Sequence, residues 1–482
     1  MKTIALALVV VSVMGTTAHG QEVFPDVTAE LVTARRVLTT PKMAAAVAYV
    51  DGADDETVQE WLSLCNAYGP SGDEIQRSRL IYKLFRIYGL ENVHIDDEYN
   101  VVGIRRGTGG GPAVVLNAHH DNVALWPRDQ PVEAFVADGR VWCPAAGDDL
   151  MGVVQILTVV RAMNAANIET KGEVWFVTFT GEEPATYYAS RGVEHFVRAN
   201  YPQNLDWRKG DIIVQLHGGG GEGVSVGSTP IRHRTMLRVY SPFEKNRWER
   251  HGVDALGRII TRISDEVRDP RASTVSLTET GAGQLTDEIL YLNMSMIGAS
   301  EILNGTAGEA WIRFDLRSPT EARLLKAHAD IRRIAQEVTN QAGEGLDFVY
   351  EISSKNGTES GIDGWDDVNN AAARMAVAAS QALYGTRPVI DPERGCGDCV
   401  QAYVAGMPAM SLRGSVIDYG DKGRFEVGAA LPLRSAVRRR SVSHDVTESA
   451  DINRVWSGVK HALLFAVAYA GMAEDRDGQG AR

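Results

Sequence analysis

The chain has 482 residues and a mass of 52.4 kDa, room for about three ordinary domains or for one large domain with an insertion. A composition of 44% hydrophobic, 7% aromatic and 23% charged residues excludes disordered, fibrous and disulfide-framework classes. The formal net charge of −13, with no long basic run, excludes a chain built to bind nucleic acid or an anionic membrane surface. Small-molecule or peptide chemistry is left, with any anionic ligand held in a local basic pocket.

Lys2 leads into an apolar run from Ile4 to Met14, and Thr17-Ala18-His19-Gly20 sets small residues before Gln21, the pattern of a cleaved secretory signal over residues 1–20. That run is too short to span a bilayer, and no other segment approaches 18 uninterrupted apolar residues. The expected mature protein is therefore exported, periplasmic or secreted, and free of the membrane. Helical periodicity runs from Asp55 to Leu90, broken at Pro70-Ser71-Gly72 and renewed as an amphipathic stretch over Ile75–Gly89. Short β-branched runs follow at Val101–Ile104 and Val114–Leu116, about a glycine-rich turn, and again at Val174–Phe179 and Ile212–Val214. An apolar helix is predicted over Gly152–Asn164. Strands alternating with helices predict an α/β domain around a mostly parallel sheet, with its ligand site at the carboxyl ends of the strands.

After Gly227 the pattern changes. Strand Thr235–Tyr240, helix Gly252–Val267, strands Leu290–Ile297 and Ala310–Leu316, helix Glu321–Ala342 and strand Leu346–Ile352 spell βαββαβ, a ferredoxin-like unit inserted in the larger domain. The organisation read is a signal over 1–20, a main domain in two parts over 21–230 and 356–473, an insert over 231–355 and a polar tail over 474–482. Ser353–Gly364 reads as the linker, and helices Val368–Tyr384 and Ala450–Ala470 return to the main domain. Four cysteines are sparse usage: Cys396 and Cys399 either pair in an oxidising compartment or form half of a zinc site whose second half is missing.

Four segments bring His, Asp and Glu to strand ends or turns. In Leu116-Asn117-Ala118-His119-His120-Asp121, a zinc ligand at His119 with Asp121 on its far ring nitrogen is a common pairing, and His120 points the other way. Asp148-Asp149 opens the apolar helix, where helix capping is the competing reading. Glu182-Glu183 closes a strand that reads as fully buried, where two carboxylates are costly unless one binds a metal and the other acts as a base. Ser443-His444-Asp445 precedes the last long helix.

Asp148 follows His119 by 29 residues, Glu183 follows Asp148 by 35, and a late His precedes the final helix. This set resembles the two-zinc exopeptidase family of glutamate carboxypeptidase, peptidase T, dipeptidases and aminoacylases, metallopeptidase family twenty. The resemblance runs from about Pro70 to Ala470 and implies a zinc-hydrolase catalytic domain carrying the βαββαβ insert as its lid and dimerisation domain. It implies two zinc ions, with cobalt or manganese as substitutes: His119 on the first, Asp148 bridging, Glu183 and His444 on the second. Asp121 would orient His119, Glu182 would be the general base, and the Asp148–Asp149 peptide would be cis. The remaining ligand of the first zinc, Asp or Glu in the family's peptidases, falls here on His217, as in the aminoacylase-like branch; Glu222 is the weaker candidate.

In the lid, Asn304 and Arg317 match the family's substrate-binding positions, Arg317 pairing with a substrate carboxylate unless Asp315 or Glu321 holds it. The family's lid histidine has no counterpart in Ser241–Lys245; His251 sits nearer the helix and His233 is placed ahead of the first lid strand. The expected activity is hydrolysis of a terminal amide bond in small peptides, with N-acyl amino acids as the alternative substrate and a homodimer as the expected assembly. A single-domain zinc aminopeptidase would lack the insert, and a non-catalytic binding protein would have no need of the ligand set together with Glu182.

Overall fold

The computed structural model describes residues 25–123, 133–183, 190–200, 211–218, 223–227, 231–242, 252–269, 289–299, 308–318, 320–342, 345–356, 370–395, 397–404, 407–415 and 448–473. The signal segment, most of the expected linker, the tail, Glu222, His251, Asn304, Cys396 and His444 lie outside these residues.

Four helices open the described chain: α1 (Thr28–Leu38), α2 (Pro41–Asp51), α3 (Asp54–Asn66) and α4 (Ile75–Ile87). The main sheet takes β1 (Glu91–Ile95), β2 (Val101–Arg105), β3 (Val114–His119), β6 (Val174–Phe179), β7 (Ile212–Gly218), β8 (Gly223–Gly227), β13 (Val389–Gly395) and β14 (Ala409–Ser415). Its order is β1-β2-β6-β3-β7-β14-β8-β13. The centre is parallel, β6 with β3, β3 with β7 and β7 with β14, while antiparallel joins at β2–β6 and β14–β8 flank it. Central strands buried on both faces read as continuous apolar runs. Thus Val114, Leu116, Val174 and Phe176 enter one core while Val115, Trp175, Val177 and Phe179 enter the other. Each buried aliphatic or aromatic side chain contributes about 1.5–3 kcal/mol.

The first core is covered by α5 (Leu150–Ala165), α9 (Ala371–Tyr384) and α11 (Ile452–Ala470) together with α1–α3. Every residue of α5 from Leu150 to Met163 is buried, because the helix is largely apolar and lies between the sheet and other helices, and its Arg161 is paired with Glu60. On the other face α6 (Arg191–Asn200) and α10 (Cys399–Val404) cover the second core. Gly152 lets the start of α5 touch the end of β7, since a Cβ there would collide with the carbonyl oxygen of Leu216 and crowd the Asp149 carboxylate. α9 begins three residues later than its periodicity suggests, because Asn370 caps it by accepting the Ala373 N–H at 2.7 Å.

Three short strands, β4 (Phe135–Ala137), β5 (Arg140–Trp142) and β15 (Ser449–Asp451), form a separate sheet that brings the chain before α11 back beside α5. Cys65 of α3 is bonded to Cys143, 78 residues away, a pairing the sequence reading missed. Cys399 is also in a disulfide, whose partner lies outside the described residues.

Residues 231–356 build a second body with its own core: β9 (Ile231–Tyr240), α7 (Gly252–Glu266), β10 (Tyr291–Ala299), β11 (Glu309–Ser318), α8 (Glu321–Ala342) and β12 (Asp347–Asn356). The antiparallel order β10-β11-β9-β12 is that of the ferredoxin-like unit. Two expectations are corrected. Ser353–Asn356 belong to β12 rather than to a linker, because a register shift lets the strand keep pairing with β9 as far as Arg232. His233 lies inside β9, not ahead of it, and faces the helices: its Nε2 is 3.1 Å from Glu321, and its Nδ1 is 2.7 Å from Nε2 of His328, whose Nδ1 is 2.7 Å from the Tyr350 hydroxyl.

Burial first, then the charge of His233, pushes His328 down to about 4. Below pH 6.5 the unfolded chain therefore takes up a proton that the folded lid refuses until about pH 4. Stability is expected to fall across that window, by at most about 3 kcal/mol, and the slope should flatten in His328→Gln. Denaturant unfolding at pH 7 and 4.5 measures it.

Candidate metal centre

The carboxyl ends of β3, β6 and β7 converge on one buried place. His119 ends β3 and is fully buried, as is Asp121 two residues on, whose Oδ1 lies 3.2 Å from His119 Nδ1. On the other side of the ring, Nε2 of His119 is 3.1 Å from Oδ1 of Asp148, and that same oxygen is 3.4 Å from Nε2 of His217 on β7. Potential ligand atoms of His119, Asp148 and His217 all lie within 4.8 Å of one another, and so do those of His119, Glu182 and Glu183. The Asp148–Asp149 peptide is cis. Asp149 stands at the N-cap of α5 without a capping bond; its Oδ2 instead accepts the His119 N–H at 3.2 Å. Capping does not explain the pair.

Asp121 ties these segments together. Besides His119 it accepts the N–H of Glu182 at 3.2 Å, that of Glu183 at 3.0 Å and the Ser71 hydroxyl at 2.5 Å. These donors hold its carboxyl below the usual range although burial pushes the other way. Glu74, also fully buried, accepts the N–H groups of Gly72 at 2.7 Å and Gly181 at 3.2 Å, so it anchors the turn that carries Glu182. Burial and then the Asp121 charge raise Glu74 to about 7. Arg77 donates to the carbonyl of His120 at 2.9 Å and to Asn122 at 2.7 Å, and His120 turns away from the site to Ser78 at 3.0 Å. Glu448 takes the N–H groups of Gly147 and Asp148, each at 2.7 Å, which fixes the backbone under the central carboxylate. Apart from the His119–Asp121 pairing and the local Gly72–Glu74 bond, these supports do not show in residue spacing, because they join segments far apart in the chain.

The donor set fits a cation. Burial opposes a charge on His119, yet its bonds to Asp121 and Asp148 win and favour positive charge at the ring, a demand that a metal ion beside Nε2 would meet. Asp398, fully buried and 3.2 Å from Gln215 Nε2, is pushed well above the carboxylate range by burial and then by Glu182. So many carboxylates around two imidazoles suit a hard or borderline divalent ion bound by N and O ligands.

Arg317 has its guanidinium in a two-pronged bond to Asp315, at 3.0 and 2.8 Å, so the in-chain partner weighed for it is the one the structure shows. Gly397 lies against the Glu182 turn: a Cβ there would collide with Oε1 of Glu182. Gly397→Ala should displace that carboxylate and lower kcat by about a hundredfold at nearly unchanged melting temperature, read by steady-state kinetics beside a thermal melt.

The family that this fold and ligand cluster point to is one of peptidases: a family model for peptidase family M20/M25/M40 matches residues 115–430. The chain belongs to that family. A Pyrococcus furiosus protein named as a LysW-lysine/LysW-ornithine hydrolase is 27% identical over 173 residues, 36% of this chain and 44% of that one. The chain spans about half the length of the curated relatives it matches. Among solved structures, a di-peptidase of Saccharomyces cerevisiae superposes with a TM-score of 0.66 at 11% identity, covering 89% of this chain and 98% of the other. Human carnosine dipeptidase 1 gives 0.65 at 14% identity, covering 88% and 98%. At such identities the likeness shows the fold.

Proposed function

We propose that the chain is an exported hydrolase that depends on two metal ions and cleaves the terminal amide bond of small peptides. The observation that carries this reading is the meeting of His119, His217, Glu182 and Glu183 at the ends of three neighbouring strands with Asp148 at the start of α5. His119, Asp148 and His217 would hold one ion; Asp148, Glu183 and His444 would hold the other, with zinc the ion best suited to the donor set and cobalt or manganese able to replace it. Such a pair, when bound, polarises the scissile carbonyl and lowers the pKa of the attacking water. Glu182, on a turn fixed by Asp121 and Glu74, takes the proton of that water and returns it to the leaving amine nitrogen. Asp121 keeps His119 in one tautomer and orientation.

Export is supported by the apolar run near the amino terminus and by the Cys65–Cys143 disulfide, which needs an oxidising compartment. A homodimer through the lid is supported by exposed Met296 and Ile297 on the edge strand β10. His217, where the family's peptidases carry a carboxylate, favours N-acyl amino acids as a second substrate class. The test incubates zinc-loaded protein with dipeptides, tripeptides and N-acyl amino acids and follows amine release. Terminal cleavage of peptides supports the reading, turnover of N-acyl amino acids alone moves it to the second class, and no turnover at two bound metals overturns it.

A further inference from the structure

Asp148 is presented by a segment with no secondary structure of its own. Between the end of β5 at Trp142 and the start of α5 at Leu150 the chain makes only turns and a bend, yet every one of residues 143–149 is buried. A buried irregular segment has no water to satisfy its backbone and must find anchors elsewhere in the protein. Within it Ala145 has a φ of 66°, a left-handed backbone that a residue with a Cβ keeps only where its surroundings hold it there.

Two parts of the fold supply the anchors. On one side Glu448, just before β15, accepts the N–H groups of Gly147 and Asp148 with its carboxylate and that of Cys143 with its backbone carbonyl, at 3.1 Å. On the other side stands α3. Trp61 donates its indole N–H to the carbonyl of Ala146 at 3.0 Å, and one turn further along the same face Cys65 is bonded to Cys143. Trp61 and both cysteines are buried, at 2% exposure or less. Hydrogen bonds open and close as a segment fluctuates, whereas the disulfide stays closed, and it lies five residues before Asp148.

We propose that the Cys65–Cys143 disulfide is a positioning element of the metal centre: by fixing the 143–149 segment to α3 it holds the Asp148 carboxylate at His119 and His217, and so sets how tightly divalent ions are kept. This rests on the two-metal reading and goes beyond it. His119 and His217 belong to strands of the central sheet and stay in place without the tie, while Asp148 would have to be ordered at each binding event. A ligand ordered beforehand spares that cost and raises affinity. A disulfide that only restricts the unfolded chain stabilises the whole fold and leaves the folded protein's metal affinity unchanged.

The test compares wild type with Cys65→Ala/Cys143→Val, which removes the tie and keeps much of the buried volume. Val467→Ala is the control, a core cavity near the end of α11, where that helix meets Gly172 at the opposite edge of the sheet. Two quantities are read: hydrogen exchange over residues 143–150 in metal-free protein, and zinc affinity by competition with a chelating dye. In the cysteine variant exchange over 143–150 should be at least about tenfold faster with β3 and β7 unchanged, and zinc should bind about 10–100-fold more weakly. Val467→Ala should lower the melting temperature and change neither. Wild-type exchange and wild-type zinc affinity in the folded cysteine variant overturn the proposal, as do losses that Val467→Ala shares. If the cysteine variant does not fold, wild type unfolded and refolded under a phosphine reductant, with thiols counted by mass spectrometry, is measured in its place. Failure of both to fold assigns the disulfide to stability alone and also overturns the proposal. Wild type that binds no zinc sinks the two-metal reading, whereas wild type and variant that bind two ions alike sink the proposal only.

Discussion

Glu182→Gln is expected to lower kcat by about 10²–10⁴-fold while KM and the melting temperature stay close to those of the wild type. The backbone of Glu182 is held through its N–H to Asp121, and the turn before it through the Gly181 N–H to Glu74; neither contact uses the side chain, so an isosteric amide leaves both intact. What the substitution removes is the carboxylate that the proposed reading uses to take a proton from water and deliver it to the leaving amine. An amide does neither. Steady-state kinetics on a cleaved peptide measure the loss. A variant within tenfold of wild-type kcat would assign the base elsewhere.

Asp148→Asn should have an effect as large by another route. One carboxylate oxygen of Asp148 faces both His119 Nε2 and His217 Nε2, the two imidazoles proposed for the first ion, and the proposed reading has the same side chain serve the second ion as well. The amide keeps the shape, and the Gly147 and Asp148 N–H bonds to Glu448 survive because they are made by the backbone. Charge and bridging capacity are lost together. Bound metal, by mass spectrometry of the dialysed protein, should fall from two ions per chain to one or fewer, with amine release reduced to background. Asp121→Asn, which loosens the orientation of His119 and weakens the hold on the Glu182–Glu183 turn, should cost about 10–100-fold in metal affinity and leave residual activity. Two ions per chain in Asp148→Asn would rule out the bridging role.

Much of this was legible in the sequence because it rests on local pattern. The continuous apolar runs of β3 and β6 declare strands buried on both faces, and the βαββαβ order of the insert declares its sheet. His119, Asp148, Glu183 and His217 stand at strand ends or at a helix start, where a central parallel sheet collects its ligands, and the structure brings these four together. His444 and Asn304 fall outside the described residues.

The rest depends on contacts between segments with no periodic signal. Glu448 reaches Asp148 across 300 residues and Glu74 reaches Gly181 across 107, and nothing in either neighbourhood announces the partner. Strands β4, β5 and β15 have three residues each, too few for alternation to show. Cys65 and Cys143 are single residues on a helix and after a strand, whereas Cys396-x-x-Cys399 draws the eye by spacing alone.

If metal ions held by this cluster run the hydrolysis, the activity must follow their occupancy. The most direct measurement strips the purified protein with a chelator, then follows amine release from a cleaved peptide as zinc is added back against bound metal per chain. The expected result is no activity in the stripped protein and full recovery as the second ion binds. Full activity in metal-free protein, or recovery complete at one ion with the second site empty, would contradict it.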